Sequence, residues 1–254
     1  MLSPPQNARM NQSQPHAGVP GVSLLLGAGG GIGAALRQRL EERGETVIAL
    51  GRHTEPALDY GDEASLAACA HHLAERLESS GQVLTRLIVA TGFLHGRTPS
   101  GHLAEPERSW KNLDPEALAH SFLVNAIGPA LVIKHLLPLL PRQGRCTVAF
   151  LSARVGSVGD NRLGGWYAYR AAKAALNQLV HTAAIELARR NRESVCVVLH
   201  PGTVATGLSR PFAKPGLAVR SPDIAATEIL TVMDGLQPTQ SGGFWDQHGK
   251  AVPW

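Results

Sequence analysis

Apolar residues along this chain fall into two patterns that alternate from one end to the other. Short, largely apolar runs occur at Val22 to Leu26, Val47 to Leu50, Leu87 to Ala90, Arg145 to Leu151 and Val195 to Leu199. Runs without polar alternation predict strands buried on both faces. Between them lie longer stretches, 32–42, 62–79, 115–140, 165–191 and 222–235, in which apolar and polar residues mix at helical spacing. Asp114, Pro115 and Glu116 give the third stretch an N-cap, a proline at the first helical position and an early acid. Ala57 to Asp59 and Gly243 to Trp245 are shorter strand candidates, bringing the expected total to about seven. Strands and helices alternating in this way predict an α/β domain with a doubly wound parallel sheet covered on both faces. Ligands of such sheets sit beyond the carboxyl ends of the strands.

Composition bounds the picture without changing it. No shift divides the 254 residues, so 22–254 are expected to form a single domain. Residues 1–21, rich in Pro, Gln, Asn and Ser, predict a loose tail without the apolar centre of a signal peptide. No apolar run approaches the roughly 20 residues that span a bilayer, which predicts a soluble protein with no membrane partner. The three cysteines have no short spacing, and Cys146 and Cys196 sit in apolar runs, predicting free thiols and a cytoplasmic setting. The pI is near 9.2, but the basic residues are scattered and few aromatics lie between them, so no nucleic-acid partner is expected. The eleven histidines form no ligand pair, and no metal is expected.

Chemistry gathers where the runs end. Gly27-Ala-Gly-Gly-Gly-Ile-Gly33 follows the first strand and opens the first helix, where glycines let backbone approach a pyrophosphate at a helix N-terminus. Two registers fit: Gly29, Gly31 and Ala34, or Gly27, Gly31 and Gly33. Further on, Tyr169 and Lys173 stand four apart in a predicted helix, on one face. A phenol with a pKa of about 10 is a poor acid or base at neutrality. An ammonium about 4 Å away, at an effective dielectric of about 20, is worth roughly 4 kcal/mol, or about three pKa units. The pair is therefore expected to bring the tyrosine toward working pH, as proton transfer to a carbonyl oxygen requires. Pro129 lacks the N–H that would bond the Asn125 carbonyl in a regular helix, leaving that acceptor free.

The order of these features, with Asp59, Ala90-Thr-Gly92, the Ser152 loop and Pro201-Gly202, resembles the short-chain dehydrogenase/reductase family from Val22 onward. Ser152-Ala-Arg-Val-Gly-Ser157, Gly164-Gly-Trp-Tyr-Ala-Tyr-Arg170 and the terminal Val252-Pro-Trp254 are similar to its C-factor branch, which includes sniffer-type carbonyl reductases. The resemblance implies a Rossmann-type fold and hydride transfer between a nicotinamide cofactor and a small carbonyl or alcohol. Tyr169 would be the acid/base, Lys173 would hold the nicotinamide ribose, and Asn125 would hold a water linked to that lysine. Gly27, Gly31, Ile32, Gly33, Ala90, Gly92, Pro201, Gly202, Val204 and Thr206 would line the cofactor, and Asp59 with Tyr60 would lie near the adenine. Pairing into homodimers or homotetramers through the helices of Asn125 and Lys173 is implied as well.

Two departures stand out. Ala153 occupies the usual catalytic serine position; Ser152 is taken as the catalytic hydroxyl, the alternatives being Ser157 or no hydroxyl at all. Ala90-Thr-Gly replaces the family's Asn-Ala-Gly. At the end of the second strand, Gly51 and Arg52 stand where a carboxylate would bond the ribose of NAD, and an arginine suits a 2′-phosphate, so NADP(H) is favoured over NAD(H). Loops 93–112 and 207–221, the second read as a lid, shape the substrate pocket, with His95 and Trp166 as candidate lining. The altered serine position leaves a second reading: a cofactor-binding signalling protein, C-factor-like, with little turnover.

Overall fold

The computed structural model describes residues 21–212 and 218–254. All but Gly21 of the expected tail, and residues 213–217 of the expected lid, lie outside them. In chain order the elements are β1 (Gly21–Leu26), α1 (Gly31–Glu42), β2 (Thr46–Leu50), α2 (Glu63–Ser80), β3 (Val83–Val89), β4 (Gly96–Arg97) and β5 (Leu103–Ala104). Then follow α3 (Pro115–Phe122), α4 (Gly128–Leu136), β6 (Cys146–Leu151), α5 (Tyr167–Arg190), β7 (Ser194–His200), β8 (Thr203–Val204), β9 (Val219–Arg220), α6 (Pro222–Gly235) and β10 (Phe244–Asp246).

Six strands form the main sheet in the order β2-β1-β3-β6-β7-β10, all parallel. This is the expected doubly wound α/β fold, with six strands rather than about seven. Ala57 to Asp59 is the one that fails. Pro56 has no N–H for a ladder, and the Leu58 N–H bonds back to the Gly51 carbonyl at 2.9 Å, folding the segment onto the end of β2. The other expected strands and helices are present, most with ends moved by one to four residues.

One apolar layer joins α1 and α6 to the sheet through Leu25, Leu36, Leu40, Ile88, Ile229 and Leu230. The other joins α2, α4 and α5 through Leu24, Leu66, Leu73, Val132, Phe150 and Val180. Caps fix where helices begin: Asp62 accepts the Ala64 N–H, Asp114 the Ala117 N–H and Ser221 the Ile224 N–H.

The predicted 115–140 helix is interrupted. Residues Leu123–Ile127 form a π turn, and the Gly128 N–H reaches back five residues to Leu123. The stretch Pro115–Leu139 has 25 residues, and an 18-residue window within it reaches a mean hydropathy of 1.6, long and apolar enough to cross a membrane by those measures. That corrects the expectation that no segment reaches that length. Here the stretch packs between α2 and α5 in the second apolar layer.

The sheet order reverses between β1 and β3, the place where a crevice opens in folds of this class. Gly27, Ala90 and Thr91 close those two strands, and the Ala90 N–H bonds Leu26 at 2.9 Å.

Candidate active site

The glycine turn resolves the register that the sequence leaves open. A Cβ on Gly33 would lie 2.1 Å from the Gly27 carbonyl oxygen, and one on Gly31 would lie 2.7 Å from Thr206 Cγ2. Gly27 itself has φ +88°. A Cβ on Gly29 would meet nothing within 4 Å. The tight positions are thus Gly27, Gly31 and Gly33. Gly30 caps α1 without a side-chain acceptor, and no acid lies in the first turn. Helix N-terminal N–H groups left without side-chain partners, with Ile32 among them and open space above, fit the pyrophosphate of a dinucleotide.

Neighbouring strand ends complete that cradle. The Gly27 N–H bonds the Leu50 carbonyl at 3.2 Å, bringing the end of β2, and Arg52 just beyond it, beside the turn. Arg52 is exposed and has no ion-pair partner within 4 Å among the described residues. Pro201, Gly202 and Val204 follow β7 and lead to Thr206, which sits against Gly31. Asp59 is exposed and accepts the Gly61 N–H at 2.8 Å. Tyr60 turns inward: its hydroxyl lies 2.8 Å from Thr91 Oγ1, and burial pushes its pKa up to about 12.

The reacting end lies on α5. Tyr169 and Lys173 are both buried, with the lysine Nζ 5.7 Å from the phenol ring centroid and donating to the Leu151 carbonyl at 3.0 Å. Asn125 is wholly buried in the π turn. Its Oδ1 accepts the Phe93 N–H at 3.0 Å and its Nδ2 donates to the Phe93 carbonyl at 2.7 Å, so one side chain fixes the loop after β3. A Cβ on Gly92 would lie 3.5 Å from Asn125 Oδ1 and 3.8 Å from Lys173 Nζ, which places the loop after β3 directly against both side chains. The structure therefore brings Gly92, Asn125, Tyr169 and Lys173 together.

Protonation runs against the charge argument. Burial raises the Tyr169 phenol well above its ordinary value, and burial lowers Lys173 to about 7. Desolvation disfavours the charged form of each, and here it outweighs their mutual attraction. The expected downward shift of Tyr169 is thus corrected for the cofactor-free chain.

The serine expectation changes too. Ser152 is buried and its hydroxyl donates to Asn177 Oδ1 at 2.8 Å, one helical turn beyond Lys173. Ser157 Oγ accepts the Asp160 N–H at 3.0 Å. Ser152 directly follows β6 and Ala153 is extended at φ −143° and ψ 145°, so their Cβ atoms point to opposite sides. With Ser152 turned to Asn177, the opposite side is left to the methyl group of Ala153. The choice of Ser152 as catalytic hydroxyl is corrected by this geometry.

His95 and Trp166 do meet near the phenol, through a residue that sequence reasoning passed over. Phe212 stacks edge-on with His95 and with Trp166, each at 5.3 Å between centroids, and Trp166 stands 6.4 Å from Tyr169. His95 Nε2 also lies 3.2 Å from the Gly207 carbonyl oxygen, joining the two loops expected to shape the pocket. Asn177 and Glu107 were missed as well; Glu107 is separated from Tyr169 by 62 positions and carries no local motif.

A family model of the short chain dehydrogenases matches residues 22–215. The chain is a short-chain dehydrogenase/reductase. Two relatives and one structure place this short-chain dehydrogenase/reductase more closely. It is 40% identical to the C-signal of Myxococcus xanthus over 143 residues, 56% of this chain and 82% of that protein. It is 31% identical to the 1-hydroxy-2-glutathionyl-2-methyl-3-butene dehydrogenase of Rhodococcus over 91% of this chain and 98% of that one. The NADPH-bound carbonyl reductase from chicken fatty liver superposes with a TM-score of 0.78 at 23% identity, over 96% of this chain and 97% of that one. The C-factor resemblance and the Rossmann-type fold are borne out. As a short-chain dehydrogenase/reductase, the chain is an oxidoreductase.

Proposed function

We propose that this is a cytoplasmic NADP(H)-dependent carbonyl oxidoreductase with Tyr169 as general acid and base. The observation that carries the reading is a buried lysine amine beside a buried tyrosine, against Gly92 and Asn125. The bound nicotinamide would supply or take the hydride. In reduction Tyr169 donates its phenolic proton to the carbonyl oxygen, and in oxidation it accepts the alcohol proton. Lys173, with a pKa of about 7, exchanges protons readily near neutrality. The Asn125 carbonyl has no i+4 donor, because that position is Pro129, and so remains an acceptor on the proton path to the lysine.

Arg52 supports the NADP(H) preference, since a guanidinium can pair bidentately with the 2′-phosphate. Buried free thiols at Cys69, Cys146 and Cys196 support a reducing compartment. Exposed Ile127, Leu179 and Ile185, on the π turn and α5, support pairing of two copies through these helices, which light scattering would detect as a doubled mass.

The deciding experiment compares the wild type with Tyr169→Phe in carbonyl-dependent NADPH oxidation. The substitution is expected to cost about 10³-fold in kcat, with the NADPH Kd unchanged by fluorescence titration. Retained turnover would remove Tyr169 from the chemistry. The C-signal likeness and Ala153 favour a second reading, a cofactor-binding signalling protein with little turnover. Tight NADPH binding without oxidation across aldehydes, ketones and quinones would select it.

A further inference from the structure

The start of α5 is built in an unusual way. Gly164, Gly165 and Trp166 lie consecutively in the left-handed region, at φ +64°, +65° and +55°. The two glycines take that conformation freely, whereas a bulky residue there is an outlier. Trp166 is also the N-cap of α5, and its indole offers no acceptor to the first-turn N–H groups. Strain of this kind persists only where surrounding structure holds it, and it gathers at functional sites.

Two residues from different places do the holding, Glu107 through its backbone carbonyl and its carboxylate, and Arg170 through its guanidinium. Glu107 accepts the Trp166 N–H on its backbone carbonyl at 2.6 Å. Its carboxylate oxygens lie 3.2 and 3.3 Å from the Ala168 N–H, the second residue of the helix. Glu107 thus provides the cap that Trp166 cannot. Its carboxylate is buried, 4% exposed, and has no ion-pair partner within 4 Å among the described residues, so the α5 N-terminus is its recorded polar contact. A negative charge at a helix N-terminus is favourable through the macrodipole. From the other side, the Arg170 guanidinium donates to the Gly165, Gly164 and Val155 carbonyls at 2.9, 3.2 and 3.2 Å. The loop that presents Glu107 is itself fixed, by the β4-β5 pair, by Thr98 donating to Glu116 at 2.7 Å and by His102 at 3.2 Å from Asp114.

We propose that Glu107 is a positioning residue: its backbone carbonyl holds the Trp166 N–H while its carboxylate caps the first turn of α5, so that the strained Trp166 cannot relax by unwinding that turn and Tyr169 and the indole beside it are held at fixed relative positions. Tyr169 is the third residue of the helix, one position beyond the N–H that the carboxylate bonds, and the clamp acts on the turn that aims the phenol. Arg170 shares the load through the preceding carbonyls. Placement of the phenol rests on the reductase reading; the clamp itself does not.

The test uses the full chain with Glu107→Ala, Glu107→Gln, Trp166→Gly and the double variant Glu107→Ala/Trp166→Gly. Glu107→Ala is expected to lower kcat by about 10- to 100-fold, with the NADPH Kd within about twofold. It should also lower Tm by about 3–6 °C. Glu107→Gln keeps an acceptor and should recover kcat to within about threefold of wild type. Glu107→Ala keeps the carbonyl but removes the cap that stops the first turn from yielding to the strain at Trp166; glycine adopts the left-handed conformation unaided and carries no such strain, so the Tm loss from Glu107→Ala should fall by about half in the Trp166→Gly background. The proposal is overturned if Glu107→Ala keeps kcat within twofold, if Gln does no better than Ala, or if the Tm loss is equal in both backgrounds. A wild type that oxidises NADPH with no carbonyl defeats the reductase reading instead, and the Tm comparison then decides the clamp alone.

Discussion

On the cofactor side of the crevice, the glycine turn closes on itself through contacts short in sequence. Gly27 and Gly33 touch each other across that turn, and Gly30 caps α1 four residues after β1 ends. On the substrate side the contacts join distant parts of the chain: Glu107 to Trp166 and Ala168, His95 to Gly207 and Phe212, Ser152 to Asn177. The first half is specified by local stereochemistry, because only glycine tolerates those approaches. The second half is specified by which loops happen to meet, and single residues there can change with less effect on the fold. Ala153 is such a change. It sits between a strand end and a turn whose backbone bonds are intact, with Gly156 N–H to Ala153 at 2.8 Å and Ser157 N–H to Arg154 at 3.0 Å.

The largest effect that would sharpen this contrast is a gain. If the site lacks only the hydroxyl, Ala153→Ser should raise kcat for carbonyl reduction by about 10- to 100-fold, since one donor to a developing oxyanion is worth about 10²–10³ elsewhere. The fold should tolerate it, since the serine hydroxyl points away from the Ser152–Asn177 bond. Steady-state rates with a reactive aldehyde decide the matter. An unchanged rate would mean that the substrate side supplies its second donor from some other group, and that the two halves are not independent.

The same contrast explains what could be read in advance. Strand runs, helix spacing and the Asp114-Pro115 start depend on neighbours in sequence, and the fold and the pairing of Tyr169 with Lys173 followed from them, whereas Asn125 joined that pair only through the family resemblance. The glycine register did not, because choosing it needs the contact of Gly31 with Thr206, 175 positions away. Ser152 was chosen from alignment position alone, and its direction depends on Asn177 across the core. Glu107 reads as one acid among several in a polar loop; only its burial against α5 separates it from Glu105. The charge argument for Tyr169 failed because burial of both partners is a tertiary property.

A smaller effect probes the cofactor side. Arg52→Asp should weaken NADPH binding by about tenfold, the scale of one exposed charge-assisted contact to a phosphate. NADH binding should hold or improve, because a carboxylate there can accept from a ribose hydroxyl. Titrating both cofactors by fluorescence gives the ratio directly. Equal losses for both would show that Arg52 supports the turn after β2 rather than reading the phosphate, and the cofactor side would then lose its one proposed element of selectivity.

The smallest effect is in stability, and it tests whether the acid-base pair belongs with the rigid half. Lys173 is lowered by burial from an ordinary value of 10.5 to about 7. Between those pH values the unfolded chain binds a proton at this position that the folded chain does not. Raising pH across the window removes that difference, so stability should climb by up to about 1.4 kcal/mol per pH unit from this group. Below pH 7 both states carry the proton and the contribution is level. Urea unfolding of the cofactor-free protein at pH 7.5 and 9.0 should therefore show the wild type gaining about 2 kcal/mol relative to Lys173→Met, whose curve lacks this group. Parallel behaviour of the two proteins would mean that Lys173 keeps its proton in the folded chain, through water reaching it beside Gly92. The pair would then be solvated like the loops around it rather than sealed with the strand ends.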